Sequence, residues 1–239
     1  MLHNQRLSVT DPENTYPKRI RRAIRLFINP PNNDLEKHLT GKGIACKDSH
    51  YIYLKTAAAT VLIESGGGVG AGVFIAPRVI ATAGHVVDGR ELTVFTSNTR
   101  DDSLAIPSKS IPAKLKHRFP SLDLAFVITS RNGPAWLDLE IETVLDTNLM
   151  IVGHPKRRYY SLQKARIKRK DLIGSSEYIF FKDNEVFFGN SGGAIVGCNG
   201  KLAGVVSMMN NYNNSMFKEG IGINARTILK YAKKLSLLQ

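Results

Sequence analysis

From Tyr51 onward the apolar residues come in short, β-branched runs, each closed by glycine, proline, asparagine or aspartate. That pattern admits strands and leaves little room for core helices. Candidate strands cover residues 57–63, 71–75, 79–82, 92–96, 113–117 and 124–129. Arg131-Asn132-Gly133-Pro134 then marks a turn and a link. A second set covers residues 149–153, 162–167, 178–182, 193–198, 202–208 and 220–223. The period changes at the end of the chain, where Ile228, Tyr231, Ala232, Leu235 and Leu238 recur at helical spacing between lysines. The expectation is an all-β chain closed by one amphipathic helix.

Three segments carry chemistry. Phe188-Gly189-Asn190-Ser191-Gly192-Gly193-Ala194-Ile195 sets a serine among three glycines, directly before an apolar strand. Glycine adopts backbone angles that other residues resist, so such a turn can expose one hydroxyl while backbone N–H groups point at the same spot. Residues 70–87 read as two strands ending in Thr82-Ala83-Gly84-His85-Val86-Val87. In Ser121-Leu122-Asp123-Leu124-Ala125-Phe126-Val127 an aspartate stands at the mouth of an apolar strand. The chain order is His85, Asp123, Ser191.

That order, with G-x-G-x-F-I-A-P, T-A-G-H-V-V, L-D-L-A-F-V, G-N-S-G-G-A-I, G-V-V-S and G-I-G-I-N-A, resembles the chymotrypsin-like (trypsin-like) serine peptidases, and most of all their HtrA/Deg branch. The likeness runs from about Thr56 to Leu235. It implies two six-stranded antiparallel β-barrels, over about 51–130 and 135–225, followed by a C-terminal helix at 225–238. No sequence remains for the PDZ modules that many of that branch carry. Residues 1–50 form a separate basic extension in which Ile20, Ile24, Phe27 and Ile28 recur at helical spacing among arginines. A helix there could dock on the barrels, bind a partner or touch a membrane surface.

The resemblance also assigns roles. His85 takes the Ser191 proton, Asp123 orients the imidazole, and the N–H groups of Gly189 and Ser191 bind the oxyanion. Asp88, Asp101 and Asp102 compete with Asp123 as the orienting acid on composition alone. Ser207 in Gly204-Val205-Val206-Ser207 matches the serine that supports the aspartate. The specificity pocket is walled by Glu185, Val186, Phe187, Phe188, Met208 and Met209, with Gly222 at its mouth. If Glu185 points inward, cleavage follows Arg or Lys. If it lies outside, Val186, Phe187 and Met208 favour an aliphatic residue. Asn190 stands where digestive members carry an aspartate that pairs with a freshly cut N-terminal ammonium, and a neutral amide cannot make that pair. The expectation is control by ordering of loops around residues 154–190 rather than by trypsin-like zymogen cleavage.

Composition bounds the rest. With 239 residues and 43% hydrophobic content, one large domain is affordable. The formal net charge of +13 is partly clustered, at Lys18 to Arg25 and at Lys156 to Lys170. The clusters read first as solvated surface, next as a face for an acidic protein substrate or partner, and last as a nucleic-acid site, for which no aromatic-interleaved RNA motif speaks. Cys46 and Cys198 have no metal-ligand spacing, and no cofactor is implied. Cys198 reads as a small buried hydrophobe, with a Cys46–Cys198 bridge as the lesser alternative. The first residues lack a signal-peptide core, and no apolar run reaches the ~18 residues of a membrane span, which together predict a cytoplasmic protein. The functional expectation is a serine endopeptidase that hydrolyses peptide bonds through an acyl-enzyme on a specific intracellular protein. The competing reading is a binding module of the same fold that engages an acidic partner.

Overall fold

The computed structural model describes residue 46 and residues 49–89, 91–98, 106–143, 148–182, 189–210 and 219–239. The basic helix expected over 18–28 lies outside them. A helix α1 (Ser49–Ala59) precedes the first strand, β1 (Thr60–Ser65). The candidate strand at 57–63 is therefore corrected: its first three residues, all alanine, continue α1. Alanine loses least on entering a helix, and Thr60 is the first β-branched residue of the run. Thr60 Oγ1 donates to the Thr56 carbonyl at 2.8 Å and joins the two elements.

The first β unit contains β1, β2 (Gly68–Ala76), β3 (Val79–Ala83), β4 (Leu92–Asn98), β5 (Ile106–Ile111), β6 (Ala113–Phe119) and β7 (Leu124–Thr129). They form one seven-stranded antiparallel sheet in the order β5-β4-β1-β2-β3-β7-β6. This corrects the expected six-stranded barrel in two ways: the sheet is open, with β5 and β6 at its edges, and it gains the strand β5. That strand reads Ile-Pro-Ser-Lys-Ser-Ile, and its proline and polar residues hid it from a search for apolar runs. As an edge strand it can carry a proline without breaking the ladder. The second unit closes into the expected six-stranded barrel, ordered β10-β13-β12-β11-β8-β9. Its strands are β8 (Asn148–Gly153), β9 (Ser161–Ile173), β10 (Ser176–Lys182), β11 (Ala194–Gly197), β12 (Leu202–Asn210) and β13 (Glu219–Asn224).

Strands β3, β7, β8 and β11 bury both faces, which is why they read as continuous apolar runs. In β2, Val73 belongs to a cluster shared by the two units while Phe74 fills the first unit's own core. In β11, Ala194 faces the shared cluster and Ile195 the barrel interior. The shared cluster also takes Tyr53 from α1, Phe126 from β7, Met150 from β8 and Val205 from β12. The link after Arg131 lies along both units. Leu137 N–H donates to the Phe74 carbonyl at 2.9 Å, and Glu140 N–H to the Leu202 carbonyl at 2.8 Å.

The final helix, α2 (Ala225–Lys234), is capped by Asn224, whose Oδ1 accepts from the Arg226 N–H at 2.8 Å. It sends Ile228 and Ala232 into the shared cluster. It also reaches beyond the second barrel. Tyr231 meets Phe119 of β6 edge-on, with ring centroids 4.7 Å apart.

Cys46 and Cys198 form a disulfide with Cα atoms 5.2 Å apart and a sequence separation of 152. This corrects the reading of Cys198 as a buried hydrophobe. The residue sits exposed in the turn between β11 and β12, where α1 passes close enough for Ile52 to face Gly200. The bridge ties the chain before α1 to the second barrel. A cross-link closing so long a loop removes much of the unfolded chain's freedom, by about 3–5 kcal/mol in the chain-entropy account. Replacing both cysteines by serine, or adding reductant, should lower unfolding stability by about that amount in urea titrations. An unchanged midpoint would mean that the bridge contributes nothing.

Candidate active site

The ladder between β3 and β7 brings two of the three chemical residues together. Ala83 pairs with Leu124, so the residues that follow β3 and the one that precedes β7 are neighbours. Gly84 N–H donates to the Asp123 carbonyl at 2.7 Å. His85 opens outward from a short 3-10 turn, Gly84–Val87. Its backbone N–H donates to Asp123 Oδ1 at 2.9 Å, and its Nδ1 lies 2.9 and 3.0 Å from the two carboxylate oxygens. Asp123 has φ of 52°, in the left-handed region that aspartate tolerates better than most residues. Asp88, Asp101 and Asp102 do not take this place: Asp88 lies on the far side of the 3-10 turn, and the other two lie outside the described residues.

The second barrel supplies the third partner. The register of β12 against β13 shifts between Val206 and Met208, which leaves Ser207 as an extra, unpaired residue. A bulge of this kind re-aims a side chain. Ser207 Oγ donates to Asp123 Oδ2 at 2.6 Å. Tyr178 on β10 donates its hydroxyl to the Leu122 carbonyl at 3.2 Å, so the Asp123 turn is held from two strands of the other unit.

Ser191 joins this group through the backbone rather than through its hydroxyl. Its carbonyl accepts from Ala71 N–H of β2 at 2.8 Å. Gly192 N–H donates to the Val206 carbonyl at 2.6 Å, the residue before Ser207. The Ser191 turn therefore touches β2 of the first unit and, in the second, β12, the strand that carries Ser207. Gly189 and Gly192 have φ of 98° and 80°, and side chains there would collide with the His154 and Ala71 carbonyls. Only glycine satisfies both conditions. Asn190 is fully buried, and its Nδ2 donates to Gln163 Oε1 at 2.7 Å. A neutral amide thus fills the space beside the nucleophile, on a neutral partner.

Charge follows the geometry. The hydrogen bond to Asp123 raises the His85 pKa above its ordinary 6.5, against the effect of burial. At Asp123 burial pushes upward, but the bonds from His85 and Ser207 outweigh it and leave the carboxyl below its usual range. The pair thus favours imidazolium beside carboxylate, the charge state that proton transfer from a serine would create. Among the described residues no cluster of His, Cys, Asp and Glu could hold a metal ion.

The specificity pocket is only partly in view. Glu185, Val186, Phe187 and Phe188 lie outside the described residues. Met208 and Met209 lie on β12, paired with Ile221 and Gly220. Gly222 is corrected. A Cβ there would sit 2.5 Å from Ile195 Cδ1 and 3.0 Å from Ile179 Cγ1, so the glycine makes room for the barrel core rather than for a pocket mouth. Sequence reasoning missed Tyr178 and His154. Tyr178 carries no motif. His154 precedes a proline after an apolar strand, and only its burial, to 0% exposure, reveals it.

A profile of the trypsin-like peptidase domain matches residues 70–205, more than half of the chain. A search of curated proteins finds no match. Among solved structures, an inactive form of the Rv3671c protease from M. tuberculosis aligns with TM-score 0.64 and 22% identity, over 79% of this chain and 91% of that one. Its active form aligns with TM-score 0.66 and 22% identity, over 79% and 85%. A serine endoprotease from Yersinia pestis aligns with TM-score 0.64 and 22% identity, over 77% and 65%. These likenesses concern the fold; the profile match spans both β units and all three segments singled out in the sequence. The chain belongs to the family of trypsin-like peptidase domains.

Proposed function

We propose that the protein is a serine endopeptidase whose triad is His85, Asp123 and Ser191. The observation that carries this reading is the Asp123 carboxylate held by His85 and Ser207, with the glycine turn of Ser191 bonded to the residue before Ser207. With Nδ1 committed to Asp123, the other ring nitrogen, Nε2, is the base. Ser191 Oγ attacks the substrate carbonyl carbon as its proton passes to His85 Nε2. Asp123 stabilises the imidazolium without taking the proton. The carbonyl oxygen gains the negative charge and is met by the N–H groups of Gly189 and Ser191, each such donor contributing about 2.7–4 kcal/mol to the barrier. Collapse of the intermediate expels the amine, which takes the proton from His85. Water then repeats the sequence on the acyl-enzyme, with His85 again as base, and releases Ser191.

The substrate is a peptide segment of a protein, and the positive surface favours an acidic one. Whether Glu185 sets a basic preference or Val186, Phe187 and Met208 set an aliphatic one turns on the orientation of residues 185–188. No helix among the described residues is long and apolar enough to cross a membrane. The Cys46–Cys198 bridge weighs towards an oxidising compartment and against the cytoplasmic placement expected from the first residues.

A fluorophosphonate probe should modify Ser191, and Ser191→Ala should lose both labelling and turnover, with kcat down on the order of 10⁶-fold. A chain that stays unlabelled at neutral pH while binding acidic proteins would instead be a module of this fold without catalysis.

Catalysis needs neutral His85, and its pKa is raised, so kcat/KM should fall as pH drops through a midpoint above 6.5. The pair stabilises the fold between its two folded pKa values: the His85 contribution is lost as pH rises through its raised pKa, and the Asp123 contribution as pH falls through its lowered one. Ser207→Ala removes a charge-assisted bond of about 1.5–3 kcal/mol and should cost roughly ten- to a hundredfold in kcat/KM. An unchanged pH profile in that variant would remove Ser207 from the machinery.

Asn190 also predicts that a proteolytic nick creating a new N-terminus leaves turnover unchanged, with control residing in loops around residues 154–190. A large gain on nicking, measured on the intact and the cut chain side by side, would contradict this.

A further inference from the structure

His154 is fully buried beside the Ser191 turn, and the proposed mechanism does not use it. Its backbone holds that turn directly. His154 N–H donates to the Gly189 carbonyl at 3.2 Å, and its own carbonyl is pressed against the Gly189 Cα, where a side chain would not fit. Its ring bonds two other parts of the chain. Nε2 lies 3.1 Å from the Val61 carbonyl on β1, and Tyr160 N–H donates to Nδ1 at 3.1 Å. A carbonyl can only accept and an N–H can only donate. The ring is therefore neutral, with its hydrogen on Nε2 and a bare Nδ1.

The loop that His154 opens is strained. Among the described residues five non-glycine residues have positive φ, and three of them, Lys156, Arg157 and Tyr160, lie here, at 50°, 61° and 52°. Such backbone persists only where surrounding contacts over-determine it. The contacts are the two ring bonds, the Arg157 N–H to the His154 carbonyl at 3.1 Å, and the Tyr53 hydroxyl of α1 donating to the Tyr160 carbonyl at 3.0 Å. The Tyr160 ring stands edge-on to the imidazole at 4.7 Å.

Resting on the reading of Gly189 and Ser191 as the oxyanion donors, we propose that His154 is a positioning residue for the oxyanion turn, and that it works only as the neutral Nε2–H imidazole. A proton on Nδ1 would face the Tyr160 N–H donor to donor and release the loop that aligns Gly189. The titratable and charged neighbours are Tyr53 on α1, Tyr159 and Tyr160 on its own loop, and the Lys156, Arg157 and Arg158 cations of that loop. The described side chains beside it at the Ser191 turn, Asn190 and Gln163 of β9, are uncharged, while Glu64 of β1 and Glu91 lie with Arg157 in an open surface pocket that the ring does not line. Burial holds the His154 pKa down to about 4. The folded state prefers the neutral ring, so the arrangement is intact above about 6.5 and fails as pH falls towards 4.

The test joins spectroscopy to kinetics on the full chain. Imidazole ¹⁵N spectra should show the Nε2–H tautomer for His154 at neutral pH, with no titration near 6.5. The Gly189 and Ser191 amide resonances should move when His154 titrates or is replaced by glutamine. Glutamine cannot take up a proton, so His154→Gln should lower kcat about tenfold or more with little change in KM. It should also reduce the acid limb of kcat/KM to the single proton of His85. Tyr53→Phe, which loosens the same loop from α1, should act in the same direction and more weakly. An ordinary His154 titration, or Gly189 and Ser191 amides indifferent to both changes, would overturn the proposal. The amide readout does not require turnover. If fluorophosphonate fails to label Ser191 while the amides still follow His154, the peptidase reading falls and the coupling stands.

Discussion

One carboxylate joins the two halves of this molecule. Asp123 accepts from His85 on its own sheet and from Ser207 on the opposite barrel, and Tyr178 steadies the residue before it. Each contact is local to its strand, but the set exists only when the units dock. The shared apolar cluster enforces that docking. Val73, Phe126, Ala194 and Val205 are buried between the units and hold β2, β7, β11 and β12 in place. Separation of the units would expose that surface and leave the carboxylate without its serine.

The same economy appears at the nucleophile. Ser191 sits on a turn too tight for side chains, wedged between the Ala71 carbonyl of β2 and the His154 carbonyl at the end of β8. Its position is set by backbone bonds to Ala71 and Val206, so the turn is rigid before any substrate arrives. The hydroxyl itself stays uncommitted to His85, and catalytic contacts of this kind commonly tighten only when substrate fills the site.

Around this centre, stability and reactivity draw on different terms. The bridge from Cys46 to Cys198 and the α1 helix fasten the start of the described chain to the second barrel. Tyr53 of α1 reaches the Tyr160 carbonyl and so touches the loop that presses on Gly189. Helix α1 thus bears on the turn that carries Gly189 through three hydrogen bonds, from Tyr53 to Tyr160, from Tyr160 to the His154 ring and from the His154 backbone to Gly189.

The sequence by itself determined what is local. Short β-branched runs dictated strands, the glycines around Ser191 dictated a tight turn, and helical spacing from Ile228 dictated α2, because each depends on neighbours within a few residues. Even so, three alanines turned the expected start of β1 into helix, and a proline-bearing edge strand escaped notice. The three segments proposed for catalysis stand out because each lies at a strand end inside a recognisable motif. Only the tertiary structure decided which contacts cross between units: the Ser207 bulge onto Asp123, Tyr178 onto Leu122, the pairing of two cysteines far apart in sequence, the barrel core that explains Gly222, and the burial that turns His154 into a neutral strut. These are long-range effects of packing, and no window of adjacent residues contains them.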